Sequence, residues 1–258
     1  MLRLRNGLTL DLIAYIFEIS QPTASRYFNG MVECIYQKLQ TVSIWPGREQ
    51  VREFMPFNFR SYCPDCRVII DCTEFKMVQP FNVVEQQLTF SHYKNSNTLK
   101  ALIGIAPSGG VTFISDLYCG SISDKEFFKR SGLLQLLEKG DIVLADKGFR
   151  IEEELIEAEI GLMQPLFLKE KIQFTIEERS KNKLVSCLRV HVERAISRIK
   201  VFKYFEGSIL YNSLHNINEV FFIASWLTNF NRPLITVEIA KFPEDLEESE
   251  DFTTDNGS

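Results

Sequence analysis

The chain has 258 residues, 45% of them hydrophobic and 24% charged, with 13 Gly and 9 Pro, a profile that excludes collagen-like and wholly disordered proteins. No run approaches the roughly 20 apolar residues of a membrane span, and Met1-Leu2-Arg3-Leu4-Arg5 leads into no signal-peptide core, so an intracellular protein is expected. The net charge of -5 argues against a polyanion partner only until it is located: seven acids against Lys241 give residues 241–258 a net of -6, whereas ten bases against four acids give Lys169 to Lys203 a net of +6.

The first 40 residues predict helices over Asp11 to Phe17 and from Gln21 to Asn29, joined by a tight turn. Ser20 stands at the N-cap position and Pro22 in the first turn, where its missing N–H costs nothing. With Thr23, Ser25, Arg26 and Asn29 available on exposed faces, this is the layout of a helix-turn-helix, and Arg26 is its candidate DNA contact. Only Met1 to Leu8 can supply the leading helix, so a shortened module is expected. Residues 41–66 predict a connector ending in Cys63-Pro64-Asp65-Cys66. One CxxC without a second pair or a suitably spaced His does not make a zinc site, and the six cysteines are expected to be thiols.

From Arg67 the pattern turns to strands, at Arg67 to Thr73, Gln87 to Tyr93, Leu99 to Ala106 and Val111 to Leu117, with Pro107-Ser108-Gly109-Gly110 as a hairpin turn between the last two. Ser123 with Glu126 three residues on predicts a capped helix from Asp124 through Glu138. Asp141 to Ala145 reads as a buried strand opening into Asp146-Lys147-Gly148-Phe149. A long helix is expected from Thr175 to about Val201, with Leu184, Leu188, Val192, Ala195 and Ile199 on one stripe, and a last apolar helix over Ile217 to Phe230. The acidic tail beyond Phe242 has too few apolar groups to fold.

Three acids stand out by position: Asp71 inside an apolar strand, Asp146 at the end of another, and Glu193 beside the stripe of the long helix. A carboxylate inside an apolar strand is costly unless a cation or donor answers it. Three converging carboxylates repel, and divalent cations are the usual remedy. Hard oxygen ligands suit Mg²⁺ or Mn²⁺, and two such ions about 4 Å apart can activate water and stabilise the leaving oxygen of a phosphodiester. The side chains are therefore expected to converge closely enough to share two ions, and to splay apart when no metal answers them.

The runs Val68-Ile69-Ile70-Asp71-Cys72-Thr73-Glu74-Phe75, Phe90-Ser91-His92-Tyr93-Lys94-Asn95, Leu99-Lys100-Ala101-Leu102-Ile103-Gly104-Ile105-Ala106-Pro107-Ser108-Gly109, Gly120-Ser121-Ile122-Ser123-Asp124-Lys125, Ala145-Asp146-Lys147-Gly148-Phe149 and Arg189-Val190-His191-Val192-Glu193-Arg194 follow in order the motifs of the DDE superfamily endonucleases, and the chain resembles their Harbinger-related transposase branch. The resemblance covers roughly Arg67 to Phe230. It implies an α/β fold with an RNase H-like mixed sheet flanked by helices, preceded by a small helix-turn-helix module. It also implies a nuclear, metal-dependent DNA endonuclease and strand transferase, in which Asp71, Asp146 and Glu193 hold two Mg²⁺ or Mn²⁺ ions. Lys94, Arg189, Arg194, Lys200 and Lys203 are the bases expected to meet DNA, with Arg189 and Arg194 also placed to orient Glu193, and Asp124 either caps a helix or lies near the metals. A domesticated, catalytically silent DNA-binding or protein-interaction module is the competing function. The resemblance leaves room for a separate DNA-binding partner protein that supplies specificity and for a homo-oligomer of the chain.

Overall fold

The computed structural model describes residues 1–146, 148–165 and 176–235. Lys147, Lys169, Lys171 and the acidic tail expected to be unfolded lie outside the described residues. In chain order the helices and strands are α1 (Leu2–Asn6), α2 (Leu10–Ile16), α3 (Gln21–Gln40), α4 (Arg48–Glu53), α5 (Phe57–Tyr62), β1 (Cys66–Lys76), α6 (Val83–Thr89), β2 (Phe90–Ser91), β3 (Ser96–Ile105), β4 (Val111–Ile114), β5 (Tyr118–Cys119), α7 (Asp124–Ser131), β6 (Ile142–Leu144), α8 (Glu152–Glu157), β7 (Gly161–Met163), α9 (Ile176–Lys200) and α10 (Ile217–Leu227).

The sheet is mixed. β1 runs at its centre, antiparallel to β3 and parallel to β6, and β6 is parallel to β7. β3 pairs in turn with β2, β4 and β5, all antiparallel. A three-strand antiparallel meander leading into parallel strands on the far side of β1 is the RNase H-like arrangement. Side chains of β1 alternate between two cores: Ile69 and Phe75 pack with Val185, Leu188, Val192, Ala195 and Ile199 of α9, while Val68 and Ile70 pack with Phe127 and Phe128 of α7 and with Leu155 of α8. The strand is tightly flanked: a Cβ on Gly104 would lie 2.7 Å from Val68 Cγ2 and 2.9 Å from Phe113 Cβ. The β3–β4 turn falls at the expected Pro-Ser-Gly-Gly, where Gly109 adopts φ +92°.

Two expectations are corrected. Of the strand expected over Gln87 to Tyr93, residues 87–89 are the end of α6, which Asn82 caps by accepting from Val84 N–H at 2.9 Å, residues 92–93 are a turn, and only Phe90 and Ser91 remain as strand. The connector 41–66 carries two helices, α4 and α5.

At the amino end, Thr9 and Ser20 cap α2 and α3 through their hydroxyls. The expected leading helix is the five-residue α1, whose Gly7 follows it in the left-handed region at φ 67°. α3 runs eleven residues beyond the expected Asn29, to Gln40. These helices are docked on the sheet domain: Phe28 stacks on Tyr204 at 6.3 Å, the Arg3 guanidinium lies over both rings, and Asn216 Nδ2 donates to Asn29 Oδ1 at 3.0 Å. No helix among the described residues is long and apolar enough to cross a membrane.

Candidate active site

Asp71 is delivered by the pleat. It lies on the α9 face of β1 between buried Ile69 and Phe75, opposite Ile103 of β3, and its Oδ1 accepts from Cys72 N–H at 2.8 Å. Burial raises its pKa to about 6, against the pull of the Arg189 guanidinium and the Cys72 N–H, while the Asp146 and Glu193 carboxylates push it further up. Those same interactions show which groups share the site.

Asp146 stands two residues past the end of β6, in a turn where Phe149 N–H donates to its carbonyl at 3.0 Å. Sequence reasoning missed the residue that holds this turn. Gln164, just beyond β7, donates through Nε2 to the carbonyls of Asp146 and Phe149, each at 2.7 Å. A three-residue strand such as Gly161-Leu162-Met163 leaves no periodic signal that would have drawn attention to it.

Glu193 comes from α9, one helical turn after Arg189. Arg189 is turned inward, its side chain 11% exposed, and its guanidinium lies between the acids: Nη1 is 2.9 Å from Asp146 Oδ1 and Nη2 is 3.6 Å from Glu193 Oε1. Its Nε is buried and makes no hydrogen bond among the described residues. The three acids thus lie around one cation, and among the described residues no three His, Cys, Asp or Glu are grouped closely enough to hold a metal ion, which agrees with carboxylates expected to splay apart when no metal answers them. The guanidinium answers the mutual repulsion of the acids at two points, Asp146 and Glu193.

The remaining predicted residues divide. Lys200, on the last turn of α9, places its ammonium 5.9 Å from the Phe75 ring; desolvation and the neighbouring Lys94 lower its pKa, against the pull of Asp71 and Glu74. Lys94 is exposed with its ammonium 4.6 Å from the Tyr93 ring, so Lys94 and Lys200 form a basic edge beside Asp71. Arg194 is exposed on α9, and Arg26 is exposed on α3, away from this group. Lys203 lies in the turn that packs on α1, sharing one open groove with Lys200 and Glu74 and another with Arg3 and Ser25. Asp124 does not cap α7, a place taken by Ser123, and it pairs with the ammonium of buried Lys100. Cys63 and Cys66 are free, buried thiols, with Cys63 lowered in pKa by a hydrogen bond with Cys66.

An RNase H-like α/β sheet with acids on its central strand, after its neighbouring strand and on its covering helix defines the class of polynucleotide-processing folds to which comparison then gives a family. Residues 70–229 match the family model described as DDE superfamily endonuclease, and residues 1–41 match the helix-turn-helix of DDE superfamily endonucleases. The first match spans more than half of the chain, which therefore belongs to the DDE superfamily endonucleases. Both descriptions imply DNA as the partner. Neither a curated protein nor a solved structure matches the chain.

Proposed function

We propose that the chain is a Mg²⁺- or Mn²⁺-dependent DNA endonuclease and strand transferase of the transposase type, acting in the nucleus, with Asp71, Asp146 and Glu193 as its metal-holding residues. The observation that carries this reading is the meeting of three carboxylates from three separate elements around the Arg189 guanidinium, a set of hard oxygen donors of the kind that divalent cations favour. When bound, two such ions would supply the positive charge that makes water a nucleophile and neutralises the leaving oxygen.

The chain's own residues do the rest. Asp71 forms the half-buried floor, and the more exposed Asp146 and Glu193 form a rim that a DNA backbone can reach. Lys94 and Lys200 sit beside that floor, where they can draw a phosphate toward the acids without competing for them at bonding distance. Gln164 fixes the backbone from which Asp146 projects. The freed 3′-OH then serves as the nucleophile on target DNA, with no covalent protein intermediate.

The test is nicking of supercoiled plasmid by wild type and Asp146→Asn, with Mg²⁺ and with EDTA. Nicking should require both Mg²⁺ and Asp146. DNA binding that ignores EDTA, with no nicking under any condition, would instead select the catalytically silent module.

A further inference from the structure

We propose that Arg189 is the resident counter-ion of the metal-free site, and that it must leave the carboxylates for a divalent ion to enter; the proposal rests on the reading of Asp71, Asp146 and Glu193 as metal ligands. Arg189 does not lie at the border of the site but within it, bonded to Asp146 at 2.9 Å and near Glu193 at 3.6 Å, with Asp71 in electrostatic reach. The oxygens it engages are the ones a cation would need. A guanidinium and a divalent ion cannot occupy the same lone pairs at bonding distance, so the two compete, and the fraction of molecules with Arg189 in place reduces the apparent metal affinity.

The surroundings make its departure feasible. Arg189 projects from α9, which is anchored on the core through the adjoining positions Leu188, Val192 and Ile199, so the side chain can change rotamer without moving the helix. Its Nε is held by no hydrogen bond among the described residues, and its Nη1 and Nη2 tie it to the site through Asp146 and Glu193. Both partners are about half exposed, so water can replace Arg189 on them as it leaves. An arginine serving only to position Asp146 and Glu193 for metal would make the opposite contribution, since its loss would disorder the ligands and weaken binding.

The experiment measures Mn²⁺ affinity without DNA, by calorimetry or by the electron-paramagnetic signal of free Mn²⁺, for wild type, Arg189→Gln and Arg189→Lys. Melting in EDTA is recorded alongside. Displacement predicts that Arg189→Gln binds Mn²⁺ about tenfold more tightly, equivalent to about 1.4 kcal/mol. It also predicts a lower melting temperature in EDTA and a larger rise with Mn²⁺ than for wild type. Arg189→Lys, which keeps a cation but loses the fork, should fall between the two. If Arg189→Gln cannot be folded without metal, Arg189→Lys decides the matter, and it must bind more tightly than wild type. Unchanged or weaker binding in the variants overturns displacement while leaving the metal site standing. Absence of Mn²⁺ binding in wild type and both variants overturns the metal reading and displacement together.

Discussion

Asp71 and Asp146 carry the same carboxylate into different surroundings, and the difference sets what each substitution should do. Asp71 is raised to about 6 chiefly by burial, so its ionised form is unfavourable in the folded protein. Because the folded pKa exceeds the unfolded one, the stability linked to its proton is present below about pH 4 and is lost as pH rises through about 6. Asp71→Asn in EDTA should therefore melt level with or above wild type, and its advantage should widen from pH 4.5 to 7. Asp146→Asn breaks the ion pair with the largely buried Arg189, and with one partner half exposed the cost should be about 1 kcal/mol, or roughly 2 to 4 °C. A melting series over pH for both variants checks the contrast; equal losses in the two would mean that Arg189 is not the cation that distinguishes them. In Mg²⁺ both variants should lose nicking.

At the scale of elements, two features of the site invite direct tests. Gln164→Leu removes two hydrogen bonds to the turn that carries Asp146 and leaves two carbonyls without that donor, which should cost about 1 to 2 kcal/mol and lower the nicking rate with DNA affinity unchanged. An unaltered rate, measured under saturating DNA, would show that the turn keeps its shape without the glutamine. On α9, Lys200→Gln should reduce the slope of log K against log salt by about one, the signature of one lost phosphate contact. Lys203 lies in the turn packed on α1, so Lys203→Gln should change that slope less. Affinity should rest on the α9 end of the molecule more than on residues 1–40.

The same elements show what a sequence can and cannot convey. β1, β3, β4 and β6 are legible because apolar runs with clear turns between them admit few alternatives, and Ser123 and Glu126 mark the start of α7, whose end at Ser131 rather than Glu138 is set by Gly132 in the left-handed region at φ 80°. Within 87–93 the pattern of Leu88, Phe90 and Tyr93 suits a strand throughout, while residues 87–89 are helical because of a cap at Asn82, five residues before the segment begins. The three acids could be singled out by residue type and position. Their arrangement could not, because it depends on the inward turn of Arg189, and neither i,i+4 spacing nor charge distinguishes an arginine that faces solvent from one that faces carboxylates.

For the molecule as a whole, the docking of the amino-terminal helices on the 203–216 segment matters most. Asn29 and Asn216, Phe28 and Tyr204, and Arg3 over both rings fix α3 against the domain that carries the acids. Loosening that seam with Asn216→Ala and Tyr204→Ala together should destabilise the protein by about 3 to 5 kcal/mol, mostly from the lost ring. Calorimetry of the double variant should show the amino-terminal helices melting separately or the whole molecule melting earlier; an unchanged thermogram would mean that the seam is not a stabilising contact.

Such a seam acts as a ruler. A recognition helix on a slack tether would let the blade fall anywhere within the tether's reach, whereas α3 held against Asn216 would, under the proposed function, leave a single span between any base pairs it reads and the phosphate at the acids. Cleavage by this protein should then occur at a fixed number of base pairs from the bound sequence. Inserting half a helical turn of DNA between the two should stop cutting at the original bond and move it to whichever phosphate now lies at the measured span.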